Sequence, residues 1–167
     1  VAAIAAFIKD FGPAFAWIIA AVGWALTNRQ ANNREKRKEF RSEIDAIEET
    51  VQAVAKKTAS YLRMRTRDKS ALLLELEIVV LFQSIDIRCE RLARRQTNGE
   101  LGLYIDKVDT IKEDLYDFAT GRYFETPKRI PQDELSARVQ GIHTRAFLLV
   151  EALHSLFLMK FDKIRSL

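Results

Sequence analysis

"FGPAFAWIIAAVGWALTNRQANNREKRKEF", residues 11–40, decides how the chain is read. Nothing in residues 11–27 is ionisable, and a belt of arginine and lysine follows within two positions. As a helix, this uncharged run spans about 25 Å, near the thin limit of a hydrocarbon core of about 30 Å. A cleavable signal needs its basic region before the apolar run, and here it comes after. A soluble core helix is the competing reading, supported by the high alanine content. The flanks favour a membrane anchor over residues 1–28.

Trp24 sits where an aromatic belt would meet the membrane surface. Behind it come Arg29, Arg34, Lys36, Arg37, Lys38 and Arg41, against only Glu35 and Glu39. That excess equals the net charge of the whole chain, +4, so the rest is balanced. On the other flank Lys9 is offset by Asp10, and Pro13 suits the first turn of a helix. The apolar run 1–8 then reads as an interfacial or partly inserted helix. The excess of Lys and Arg on one side, against Lys9 on the other, predicts the preceding residues outside and the following ones in the cytoplasm. Gly12, Ala16 and Ala20 are spaced by four, as are Ala21 and Ala25. Small residues at that spacing let helix backbones approach in lipid, so the anchor is expected to pack against further copies of itself.

Residues 29–167 read as helices. No Gly or Pro occurs from residue 24 to 98, so the anchor is expected to continue as a stalk, about 80 Å long if helical from 13 to 65. Along it Phe40, Ile44, Ile47, Val51, Val54, Thr58 and Tyr61 form one stripe at 4-3 spacing. Asp68 or Ser70 is the expected cap of a second helix, apolar over much of its circumference between residues 71 and 93. "QTNGE" at 96–100 is a turn. Tyr104, Val108, Ile111, Leu115 and Phe118 make a third stripe, closed by Gly121 as the residue after the cap. Pro127 and Pro131 mark a loop, and a fourth helix starts near Asp133. Its stripe is Leu135, Val139, Ile142, Ala146, Leu149, Leu153 and Leu156, with further apolar residues beyond 146 that exceed one bundle face. The expectation is all-α: a transmembrane helix, a stalk and a cytoplasmic antiparallel helical bundle.

Sites of chemistry are few. The single cysteine, Cys89, lies in an apolar run and reads as a small buried hydrophobe. There is no Cys/His cluster, no glycine-rich phosphate loop and no Ser-His-Asp constellation, so neither a metal nor a cofactor is expected. Arg63, Arg65, Arg67, Lys69, Arg94 and Arg95 are the best nucleic-acid candidates, but the belt at 29–41 reads first as a contact for anionic headgroups. Nucleic acid is not expected as a direct ligand.

Arg138 and His143, in "RVQGIH", are the one pair with a catalytic look. Their Arg-x4-His spacing is similar to the signature of the HEPN superfamily, helical-bundle proteins many of which are ribonucleases. That resemblance implies an arginine stabilising phosphorane-like charge and a histidine handling a proton across a dimer interface. An apolar segment, then a helical bundle, then Arg-x4-His in the last helix also resembles the small membrane accessory proteins of RNA-targeting CRISPR systems, which oligomerise into pores. The resemblance implies a bacterial-type plasma membrane, antiviral defence, a possible protein or RNA-effector partner in the cytoplasm, and an interface or structural role for Arg138 and His143 rather than a nuclease one. The functional expectation is an oligomeric pore or membrane-perturbing effector. A membrane-tethered adaptor and a tethered ribonuclease are the alternatives.

Overall fold

The stripe beginning at Phe40 is where the core starts. A computed structural model describes the backbone of residues 2–64, 68–94, 101–126 and 130–162 and, within these, the side chains from Trp17 to Phe161. The described residues hold four helices and no strand: α1 (Ala2–Leu62), α2 (Lys69–Arg94), α3 (Gly102–Ala119) and α4 (Gln132–Asp162). The chain divides into two compact units, Val1–Glu39 and Phe40–Leu167.

The first unit is the leading part of α1. The helix begins at Ala2 and runs through Pro13 rather than starting there, so no separate helix over residues 1–8 is found. A proline removes one N–H from the helical ladder, and here the neighbouring bonds carry the helix past it. Every described side chain from residue 17 to 39 is exposed. Gly12 and Ala16, two of the five expected packing residues, lie outside the residues whose side chains are described.

In the second unit all seven stripe residues of α1 are buried, from Phe40 to Tyr61. A 4-3 spacing keeps such residues on one side of a helix of 3.6 residues per turn, and that side is shared with three other helices. Phe40 meets Phe157 and Phe161 of α4 at ring-centroid distances of 6.3 and 5.6 Å. Lys57 pairs with Glu77 of α2 at 2.6 Å, and Glu43 with Arg88 at 3.3 Å. Between α2 and α3, Phe82 packs edge-on to Tyr116, and Lys112 bridges Asp86 (2.8 Å) and Asp109 (3.1 Å). Burial pulls the Lys112 pKa down, but the hydrogen bonds to Asp86 and Asp109 outweigh it and raise the value. Ile44, Ile47, Ile78, Ile85, Leu115, Ile142, Leu149 and Leu153 are fully enclosed. Each such side chain contributes about 1.5–3 kcal/mol of burial.

The helix ends follow local chemistry. Asp68, one of the two expected caps, takes the role: its Oδ1 accepts from the backbone N–H of Ser70 (2.9 Å) and Ala71 (3.1 Å). Those bonds, led by the one from the Ser70 hydroxyl, lower the Asp68 pKa. α3 is capped by Thr120, which puts Gly121 in the expected position. No described glycine has a positive φ, however, so left-handed backbone is not what Gly121 supplies. A Cβ there would come within 2.8 Å of both an Arg138 guanidinium nitrogen and the Asp117 carbonyl, so the requirement is space. In the following turn the Glu125 N–H donates to the Tyr61 hydroxyl (3.1 Å), which itself donates to buried Glu75 of α2 (2.8 Å). The turn at 96–100, Pro127, Arg65, Arg67 and Arg95 lie outside the described residues.

The expected anchor over residues 1–28 falls largely outside the described side chains, which begin at Trp17. Among the described residues, α4 over Gln132–Phe161 is long and apolar enough to cross a membrane by length and composition, its most apolar 18-residue window having a mean hydropathy of 1.3. Only 39% of its most apolar window is buried inside the molecule, yet Ile142, Leu149, Leu153 and Leu156 are all enclosed by protein. Hydropathy sums both sides of a helix. It cannot tell a core-facing leucine from a lipid-facing one.

Candidate functional site

Arg138 projects from the first turns of α4 onto the end of α3. Its guanidinium donates to the Phe118 carbonyl oxygen at 2.7 Å and stacks over the Phe118 ring, Cζ 4.0 Å from the centroid. Arg145, two turns on, stacks over the same ring at 3.7 Å, with Nε 2.9 Å from Asp114. Burial and then the Arg145 charge lower the Arg138 pKa. Gly141 lies between the two arginines in sequence, and a Cβ there would approach the Phe118 ring to 2.6 Å. Its missing side chain is what lets α3 and α4 come so close. Sequence reading missed this cluster. The one available signal was a glycine inside a helical pattern, which implies close approach of a neighbour.

His143 is five residues from Arg138, about 140° around the helix at 100° per residue. The structure therefore does not bring the two together within one chain. His143 is exposed and lines a groove of about 600 Å³ between α1 and α4. Val51, Ala55, Ala146 and Val150 form its apolar floor, while Glu48, Lys56, Glu151 and His154 are among its polar lining.

His154 is the more constrained of the two histidines. Its Nδ1 lies 3.1 Å from an Arg41 guanidinium nitrogen, which can only donate. The ring proton is thereby assigned to Nε2, 3.2 Å from Glu48 Oε2. With both nitrogens engaged, His154 holds α4 against α1. Arg41 also pairs with Asp45 at 2.9 Å. Of the bases expected at the membrane surface, Arg41 is thus engaged within the helical unit. Arg29, Arg34, Lys36, Arg37 and Lys38 are exposed along α1, as are Trp24, Ala20, Ala21 and Ala25. Among the described residues no group of His, Cys, Asp and Glu could hold a metal ion.

Burial raises the Cys89 thiol pKa to about 12, which removes its thiolate near neutrality. No protein family, curated protein or solved structure matches this chain. The functional reading therefore rests on residues alone.

Proposed function

We propose that this is a membrane-anchored, self-associating helical protein, with residues 1–28 in the bilayer and residues 29–167 forming an antiparallel bundle on the cytoplasmic side. One observation carries the reading. Trp17, Ile18, Ile19, Val22, Trp24 and Leu26 are all exposed, Trp17 at 77% and Trp24 at 71%, and the exposed basic belt follows directly. Apolar surface of that extent, rimmed by charge, is stable when a non-aqueous phase or another chain covers it. The apolar character of α4 has a separate explanation in its four fully or almost fully buried core residues.

Copies packed through Gly12, Ala16 and Ala20 would place several spans together, and a lone uncharged helix cannot conduct. An oligomeric pore or membrane-perturbing effector is the activity this arrangement supports, and the likeness to accessory proteins of RNA-targeting CRISPR systems belongs to the same proposal. The test is sedimentation of cell envelopes after an alkaline wash, followed by dye release from vesicles carrying the purified chain. Pelleting with release supports the reading. A chain that stays in the supernatant without detergent overturns it. The exposed α1–α4 groove favours one second reading, a tethered adaptor, in which the chain pelleted with membranes but left vesicles tight. The ribonuclease reading gains nothing from Arg138, whose guanidinium is engaged by Phe118.

A further inference from the structure

α2 buries one stripe, Ala71, Glu75, Ile78, Phe82, Ile85, Cys89 and Leu92. On its opposite side runs a second stripe that no described residue covers: Leu73, Leu76, Val80 and Ile87, each more than half exposed. At 100° per residue these four fall within about 60° of one another, diametrically across from Ile78. Their spacing is that of a heptad, with Leu73, Val80 and Ile87 at a, Leu76 and Gln83 at d. The seam is about 21 Å long. The outer side of α4 is weaker by comparison, because Glu151 and Ser155 interrupt Phe147, Leu148 and Leu158.

We infer that the outer face of α2 docks the same face of a second copy of this chain, with the two α2 helices parallel. Val80 and Ile87 at a with Leu76 at d is the combination that favours two parallel strands. Charge agrees. Asp86 falls at g and Arg91 at the following e, the positions that meet across a parallel pair, and both are exposed. Asp86 keeps 54% of its side chain open despite its contact with Lys112. In an antiparallel pair g faces g, and Asp86 would not meet Arg91. A parallel pair also presents Phe40 of both copies at the same end, so that both preceding segments could enter one bilayer. The inference rests on the self-association in the proposed function and names a surface for it outside the anchor.

The test uses the full chain in detergent with Cys89→Ala as background. Single Leu76→Cys, Val80→Cys and Ile87→Cys variants are oxidised, and their mass is measured without oxidation as well. Each is expected to form a covalent dimer alone, and Val80→Glu is expected to lower the native mass while keeping full helical circular dichroism. Cross-linking only in a mixture of Val80→Cys with Gln83→Cys means an antiparallel pair and overturns the inference. An oligomer by mass that forms no cross-link at any α2 position, or that Val80→Glu leaves intact, overturns it while the wider self-association stands. A monomer by mass overturns both.

Discussion

The Arg145 guanidinium lies 3.7 Å above the centre of the Phe118 ring, and Arg138 stacks over the same ring at 4.0 Å. A cation over an aromatic face contributes about 0.5–2 kcal/mol, more as it is desolvated. The cluster ties the last turn of α3 to the first turns of α4. The ring can sit there because residue 141 has no side chain.

Gly141→Ala is therefore expected to destabilise the protein. Helix propensity alone would make the change favourable by about 1 kcal/mol. Against that, the new Cβ meets the Phe118 ring edge at 2.6 Å, and two stacked arginines restrain the ring from moving. Overpacking costs of about 1–3 kcal/mol outweigh the propensity gain. Thermal denaturation should show a lower midpoint. An unchanged or higher midpoint would mean that α3 and α4 separate more easily than the packing implies.

The opposite sign is expected at Thr58. It occupies the sixth position of the α1 stripe, is fully buried, and its Oγ1 makes no hydrogen bond among the described residues. Thr58→Val has nearly the same shape and removes the unsatisfied hydroxyl, so stability should rise by about 1 kcal/mol. Denaturant titration gives the answer through a shifted midpoint at constant slope.

These two residues show what was legible in the chain. The α1 stripe is a local property, since period and side-chain type lie within one segment, and each of its residues is buried as the spacing predicts. The α4 start and the Asp68 cap are local as well. The Phe118 cluster is not, because residues 118, 138, 141 and 145 come together only after two helices have docked. Nor could α2 be resolved from sequence: it is apolar on two opposite sides, and periodicity does not say which side meets the core. The hydropathy of α4 is ambiguous in the same way, because it sums over both faces of the helix.

Cys89 should give the protein a distinctive alkaline dependence. Burial lifts its pKa from an ordinary 9.0 to about 12. Below pH 9 the thiol is protonated whether folded or unfolded and contributes nothing. Between about 9 and 12 the unfolded chain loses this proton and the folded one keeps it, so stability falls as pH rises. The slope contributed is up to about 1.4 kcal/mol per pH unit. Tyrosines and lysines titrate in the same range, so the readout is the difference between the native protein and Cys89→Ala. That difference should grow with pH above 9. Equal slopes for the two would refute a raised thiol pKa. A thiol reagent at pH 8 should label Cys89 only after denaturation.

Arg138 and His143 should part company under mutation. Arg138 donates a charge-assisted hydrogen bond of 2.7 Å to a backbone carbonyl and stacks on Phe118, so Arg138→Ala should cost about 1.5–3 kcal/mol of stability. His143 is exposed and makes no hydrogen bond among the described residues, so His143→Ala should stay within about 0.5 kcal/mol of the parent. A catalytic pair would behave differently. Both variants would abolish RNA cleavage, and His143→Ala would do so in a fully stable protein. The decisive comparison is thus cleavage by His143→Ala against its own denaturation midpoint. Cleavage by the parent that is lost in a stable His143→Ala protein would restore the ribonuclease reading and require the two residues to meet between copies. With no cleavage in the parent, Arg138 is explained by the α3–α4 contact alone.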